Sequence, residues 1–174
     1  MNLPNKICIA RILMCPIFLY LFISGYYYAA AVLYLVAAFT DWLDGKIARK
    51  HNLVTDLGKF LDPIADKILV LSGMLIAIYL GWGGVVTVWS AFLILTREFI
   101  VTGFRCLAAG KSCVIAADMW GKVKTVVQDI AIFVMLIEYA VFETCYSVYL
   151  LAVSAILAVI SAVNYIYKNK EVLK

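Results

Sequence analysis

The chain has 174 residues, 66% of them hydrophobic and 15% charged, with a formal net charge of +4. A soluble domain carries about 25% charged residues, so this composition excludes a water-soluble globular module. It indicates one domain of membrane helices, residues 1–174, with no Pro/Gly/Ser-rich linker or repeat to divide it. The five cysteines, Cys8, Cys15, Cys106, Cys113 and Cys145, form no C-x-x-C pair. They read as small hydrophobes rather than a disulfide framework or metal site.

A membrane-crossing helix needs about 20 mostly apolar residues, and six segments qualify in chain order. The first, Ile7–Tyr27, contains Pro16, which removes a backbone donor and predicts a kink. Its apolar run outlasts the roughly 7–15-residue core of a secretory signal, so it reads as a permanent helix. Ala29–Leu43 and Ile64–Leu80 follow; both are short, and their helices are expected to continue into the charged stretch between them. Val85–Phe104, Val123–Phe142 and Tyr146–Tyr167 complete an all-α bundle of six transmembrane helices.

The basic residues orient this bundle. Lys6 and Arg11 flank the start, and Lys46, Arg49, Lys50 and Lys59 lie between the second and third segments. Arg105, Lys111, Lys122 and Lys124 lie between the fourth and fifth, and Lys168, Lys170 and Lys174 close the chain. The intervening turns SGYYYAA, GWGG and FETCY contain no lysine or arginine. Cytoplasmic loops are the basic ones, so both termini and both long loops are expected in the cytoplasm, in a plasma membrane. The tyrosines and tryptophan of the basic-free turns suit the opposite interface.

The stretch TDWLDGKIARKHNLVTDLGKFLDPIADKILV, residues 40–70, sets acids between two apolar walls, where charge is costly. Asp41 and Asp44 are three apart, Asp62 and Asp66 four apart, and each pair shares a helix face. A helix hairpin would bring the pairs together at the cytoplasmic edge, where four carboxylates repel unless cations intervene. A ligand set of oxygens alone favours hard ions such as Mg²⁺ or Mn²⁺. Gly45 and Gly58 let backbone approach a ligand, and Arg49 can grip a phosphate through two parallel hydrogen bonds. Carboxylates for a metal and an arginine for phosphate describe a phosphoryl-transfer site. Lys46, Lys50 and Lys59 are adequately explained as membrane anchors. A cation transporter would need acids in the outer half as well, where only Glu138 and Glu143 are available.

Residues 41–66 read D-x2-D-G-x2-A-R-x8-G-x3-D-x3-D, with Asp41, Asp44, Gly45, Ala48, Arg49, Gly58, Asp62 and Asp66 in the fixed places. This resembles the signature of the CDP-alcohol phosphatidyltransferase family at every position. Further stretches, NLPNKICIARI, NLVTDLGKFLDPIADK, TREFIVTGFR, GKVKT and the ending YKNKEVLK, are similar to the bacterial phosphatidylglycerophosphate synthases within it. One departure is Cys8, where the amino-terminal pattern usually has threonine.

The resemblance implies a six-span fold with a polar cavity facing the cytoplasm, a homodimer, and no nucleic-acid partner. It implies transfer of a phosphatidyl group from CDP-diacylglycerol to sn-glycerol 3-phosphate, giving phosphatidylglycerophosphate and CMP. Serine, inositol phosphate or phosphatidylglycerol are acceptors of relatives in the same family. Asp41, Asp44, Asp62 and Asp66 would bind two divalent cations, and Asp66 would also be the base. Gly45, Ala48, Arg49, Thr55 and Gly58 would hold the CDP-diacylglycerol.

A dianionic acceptor needs a basic pocket of its own. Arg105, Lys122 and Lys124 are the candidates for glycerol phosphate, with Lys111 read as an anchor. Arg97 and Glu98 lie mid-span in an apolar segment, where they either pair with each other or a neighbour or line the polar cavity, the reading favoured from sequence. His51 reads as an exposed loop residue.

Overall fold

In the computed structural model, residues 2–50, 55–110, 119–142 and 145–169 are described. For helical residues 3, 4, 41–50, 56, 57, 59, 109, 110 and 122 this applies to the backbone only. His51, Lys111 and Cys113 lie outside the described residues. The described residues form six α-helices in order: α1 Leu3–Ile23, α2 Tyr27–Lys50, α3 Asp56–Tyr79, α4 Val85–Gly110, α5 Met119–Ile137 and α6 Ser147–Lys168. A π-helical turn, Glu138–Phe142, continues α5. No strand occurs among the described residues.

Four of these helices are long and apolar enough to cross a membrane: Asn5–Ile23, Val85–Ala108, Met119–Phe142 and Ser147–Lys168. Tyr27–Thr40 of α2 is a shorter apolar helix. Large apolar side chains such as Leu13, Ile17, Val32, Phe39, Phe92, Ile156 and Val163 stand exposed on these helices, as lipid-facing residues do in an integral membrane protein. As the sequence predicts, α2 and α3 run on into the charged stretch, to Lys50 and from Asp56.

The described residues group into two compact units. The first holds residues 1–80 and 132–145, and here α1 packs on both α2 and α3. In a lipid phase apolar surface gives no preference for protein over lipid, so close fit holds such helices together. Ala30, Ala31 and Ala37 of α2 and Ala65 and Ala77 of α3 are all buried. A Cβ on Gly73 would stand 2.5 Å from Ile132 Cγ2, so glycine lets α3 approach the end of α5. Phe18 meets Tyr34 at 5.5 Å between centroids. Phe22, Tyr27 and Tyr139 form a trio with centroids 5.1–5.5 Å apart. Pro16 lies inside α1, which runs through it to Ile23.

The second unit holds residues 81–131 and 146–174, with α4 packed on α6. Its apolar centre includes Val101, Phe104 and Tyr165, with the two rings edge to face at 5.9 Å. The turn before α4 is tied to α6, because Trp82 Nε1 donates to Ser147 Oγ at 2.9 Å. Gly83 has φ +66° and a Cβ there would lie 2.4 Å from Val148, so both backbone and space require glycine.

Candidate active site

The acid-bearing helices α2 and α3 belong to one unit and touch. Residues 51–55 join them, and so short a link makes neighbouring helices antiparallel. At 1.5 Å per residue, Asp44 lies about 9 Å before the end of α2 and Asp62 about 9 Å after the start of α3. By the same rise Asp41 and Asp66 are matched at about 14–15 Å. The two pairs therefore stand at the same levels of one hairpin. The side chains of Asp41, Asp44, Ala48 and Arg49, like that of Lys122, lie outside the described residues, as does the surrounding of Gly45.

On α3, Asp62 is 54% exposed at its side chain and Asp66 is partly exposed. Ala65 between them is fully buried. Among the described residues no three His, Cys, Asp or Glu side chains gather around one point. A four-aspartate site needs the two carboxylates of α2 as well. As donors, four carboxylates on matched helical levels fit a hard divalent cation.

Asp62 faces α1. Arg11 Nη1 lies 4.0 Å from its Oδ1, and Cys8 Sγ is 4.0 Å from the same oxygen. Arg11 is completely buried, so it is no simple interfacial anchor, and its charge stands beside an acid of the candidate site.

Thr55 is the N-cap of α3, its Oγ1 accepting from the Gly58 N–H at 3.0 Å. Such a cap satisfies one of the four backbone donors that a helix start leaves open. Asn5 of α1, only 3% exposed, bonds to the same hydroxyl. Thr55 and Gly58 of the expected donor set therefore come together, with Asn5 as a third member.

In the second unit Lys124 is 1% exposed and its Nζ donates to Glu98 Oε1 at 2.6 Å. Arg97 donates to the same oxygen at 3.0 Å and to Ser161 Oγ at 2.8 Å. Gly121 makes room for this arginine, since a Cβ there would lie 2.9 Å from Nη2. Of the two alternatives for Arg97 and Glu98, pairing is what the structure shows. Gln128, one turn beyond Lys124 on α5, is fully buried, with neither amide atom hydrogen-bonded among the described residues. Arg105 is exposed and engaged elsewhere, its Nε donating to Tyr165 Oη at 3.3 Å and its guanidinium 5.7 Å from the ring centroid.

Three of these residues carry no functional reading from sequence alone. Asn5 lies within the NLPNKICIARI stretch, so its position, though not its partner, was signalled. Arg11 reads from sequence only as a charge flanking the first span. Gln128 gave no signal.

The family model for CDP-alcohol phosphatidyltransferase matches residues 1–162. A Bacillus subtilis protein, CDP-diacylglycerol–glycerol-3-phosphate 3-phosphatidyltransferase, is 39% identical, the match covering 99% of this chain and 97% of that one. The Haemophilus influenzae protein of the same name is 32% identical over 97% of this chain and 94% of its own. A probable phosphatidylglycerophosphate synthase of Mycobacterium tuberculosis is 37% identical over 95% and 80%.

Proposed function

The chain belongs to the CDP-alcohol phosphatidyltransferase family, and from that premise we propose that it transfers the phosphatidyl group of CDP-diacylglycerol to sn-glycerol 3-phosphate, releasing CMP. The observation that carries this reading is the near-complete match to relatives named for that donor and acceptor. The paired acids of α2 and α3 support it, because carboxylates can hold the cations that would balance the charge of a diphosphate under attack.

Asp41, Asp44, Asp62 and Asp66 would hold two divalent cations, Mg²⁺ or Mn²⁺. When bound, such ions neutralise phosphate oxygens and steady the departing CMP. The chain's own part is positional and acid–base. Asp66 accepts the proton of the attacking glycerol hydroxyl, whose oxygen then forms a bond to the β-phosphorus as the bond from phosphorus to the CMP oxygen breaks. Gly45, Ala48, Arg49 and the start of α3 at Thr55 and Gly58 hold the donor. Arg105, Lys122 and Lys124 serve the acceptor phosphate.

The test uses purified protein in detergent. CMP is expected only when CDP-diacylglycerol, glycerol 3-phosphate and Mg²⁺ or Mn²⁺ are all present, and EDTA stops its release. Turnover with serine or inositol phosphate in place of glycerol 3-phosphate would move the acceptor assignment. Ion flux through liposomes without CMP would favour transport instead.

The reading includes six crossings of a bacterial inner membrane, both termini and the acid pairs on the cytoplasmic side, and a homodimer. What supports the orientation is the complete segregation of lysine and arginine from the turns at residues 24–30, 81–84 and 142–146. A reporter fused after Lys174 should be active in the cytoplasm, and one inserted at Gly83–Gly84 should report the outer side. Reversal of either result would remove the active site from the cytoplasmic face.

A further inference from the structure

Asn5 and Thr55 are fifty positions apart and close a ring of two hydrogen bonds. Asn5 Nδ2 donates to Thr55 Oγ1 at 3.0 Å, and Thr55 Oγ1 donates to Asn5 Oδ1 at 3.1 Å. The same Oγ1 accepts from the Gly58 N–H at 3.0 Å. A threonine hydroxyl has one proton to give and two lone pairs to accept with. All three are used inside the protein, so this hydroxyl keeps nothing for a nucleotide.

Gly58 is bound up in the same knot. A Cβ at this position would stand 2.8 Å from Asn5 Oδ1 and 3.2 Å from Thr55 Oγ1. Both atoms are fixed by the ring, and Asn5 is buried, so neither can swing away cheaply. The smallness of this signature glycine is therefore demanded by Asn5, whether or not a ligand approaches. Asp62 is one helical turn beyond Gly58, and Asp66 one turn beyond that.

We propose that Asn5 is a positioning residue for phosphatidyl transfer: it locks the N-cap of α3 against α1 and so sets the helix that carries Asp62 and Asp66. Its effect on turnover rests on the transfer reading above, whereas its effect on Gly58 does not. Thr55 contributes by starting the helix rather than by touching the nucleotide with its hydroxyl.

The experiment measures unfolding midpoints in detergent for Asn5→Ala, Gly58→Ala and the double variant, and saturation kinetics per folded enzyme. Gly58→Ala should lower the midpoint, and adding Asn5→Ala should recover part of that loss, because the obstructing oxygen is gone. Asn5→Ala alone should lower kcat by about 10- to 100-fold, as small misplacements of reacting groups do, with KM for glycerol 3-phosphate little changed. Thr55→Val should copy it, and Thr55→Ser, which keeps the hydroxyl, should restore most of the loss. Additive midpoints for Asn5→Ala and Gly58→Ala would overturn the proposal, as would an Asn5→Ala enzyme that loses stability but keeps its kcat. Should Gly58→Ala not fold, the Asn5 and Thr55 variants decide on kinetics alone. A wild-type protein that releases no CMP would sink the transfer reading, while the midpoints would still judge the Asn5–Gly58 coupling.

Discussion

Asp66→Asn should lower turnover by at least about 10²-fold, the ordinary contribution of a positioned general base, and should leave the folded protein intact. The side chain is partly exposed on α3 and follows the fully buried Ala65. An amide of nearly the same volume therefore meets no new steric demand. What changes is chemistry: the amide cannot take a proton at neutral pH, and it removes one negative charge from the proposed four-carboxylate set. Two readouts separate these effects. Saturation kinetics at high Mn²⁺ report the loss of the base, since added metal compensates weaker binding but not a missing proton acceptor. Titration of Mn²⁺ into the variant without substrates reports the lost ligand charge. Near-normal kcat at saturating metal would show that some other group deprotonates the hydroxyl, and an unchanged Mn²⁺ affinity would take Asp66 out of the metal site.

How far this site could be read beforehand depended on the distance over which each signal acts. The acid pairs are local, three and four residues apart, and their spacing alone put them on helix faces that α2 and α3 do form. The apolar segments were likewise legible, and each lies along a helix of the structure. The start of α1 falls four residues earlier than the apolar run suggested, at Leu3 rather than Ile7, with Asn2 as its N-cap and a proline in its first turn, where a missing N–H costs nothing. The π-helical turn after Ile137 has no sequence period of its own. What sequence could not supply was partnership across long separations. Thr55 lies fifty positions from Asn5, and Lys124 twenty-six from Glu98. Arg11 reads from sequence only as a charge flanking the start of the first span, because a nearly uniform apolar helix gives no clue to which face a lone cation occupies; the structure buries it beside Asp62.

Glu98→Leu should be among the most destabilising single substitutions in the second unit, because one carboxylate oxygen serves two buried cations. Arg97 and Lys124 are 8% and 1% exposed, and both reach Glu98 Oε1, at 3.0 and 2.6 Å. Removing the acid leaves two positive charges with one anion fewer between α4 and α5. Breaking a buried pair from one side costs about 3–5 kcal/mol, since the surviving charge has lost its water and now its partner too. Arg97 retains Ser161 Oγ at 2.8 Å, a neutral acceptor that offsets part of its loss, so the heavier burden falls on Lys124. A second substitution locates it. Lys124→Met in the Glu98→Leu background replaces the orphaned ammonium by an apolar chain of similar length. It should recover stability relative to Glu98→Leu alone, a coupling of about 0.5–3 kcal/mol for groups in contact. SDS-induced unfolding of the detergent-purified variants gives the comparison. If the double variant is the sum of the two singles, Lys124 is not held by Glu98. The lysine would then be free to stand in the acceptor pocket without the carboxylate that, in this structure, holds it.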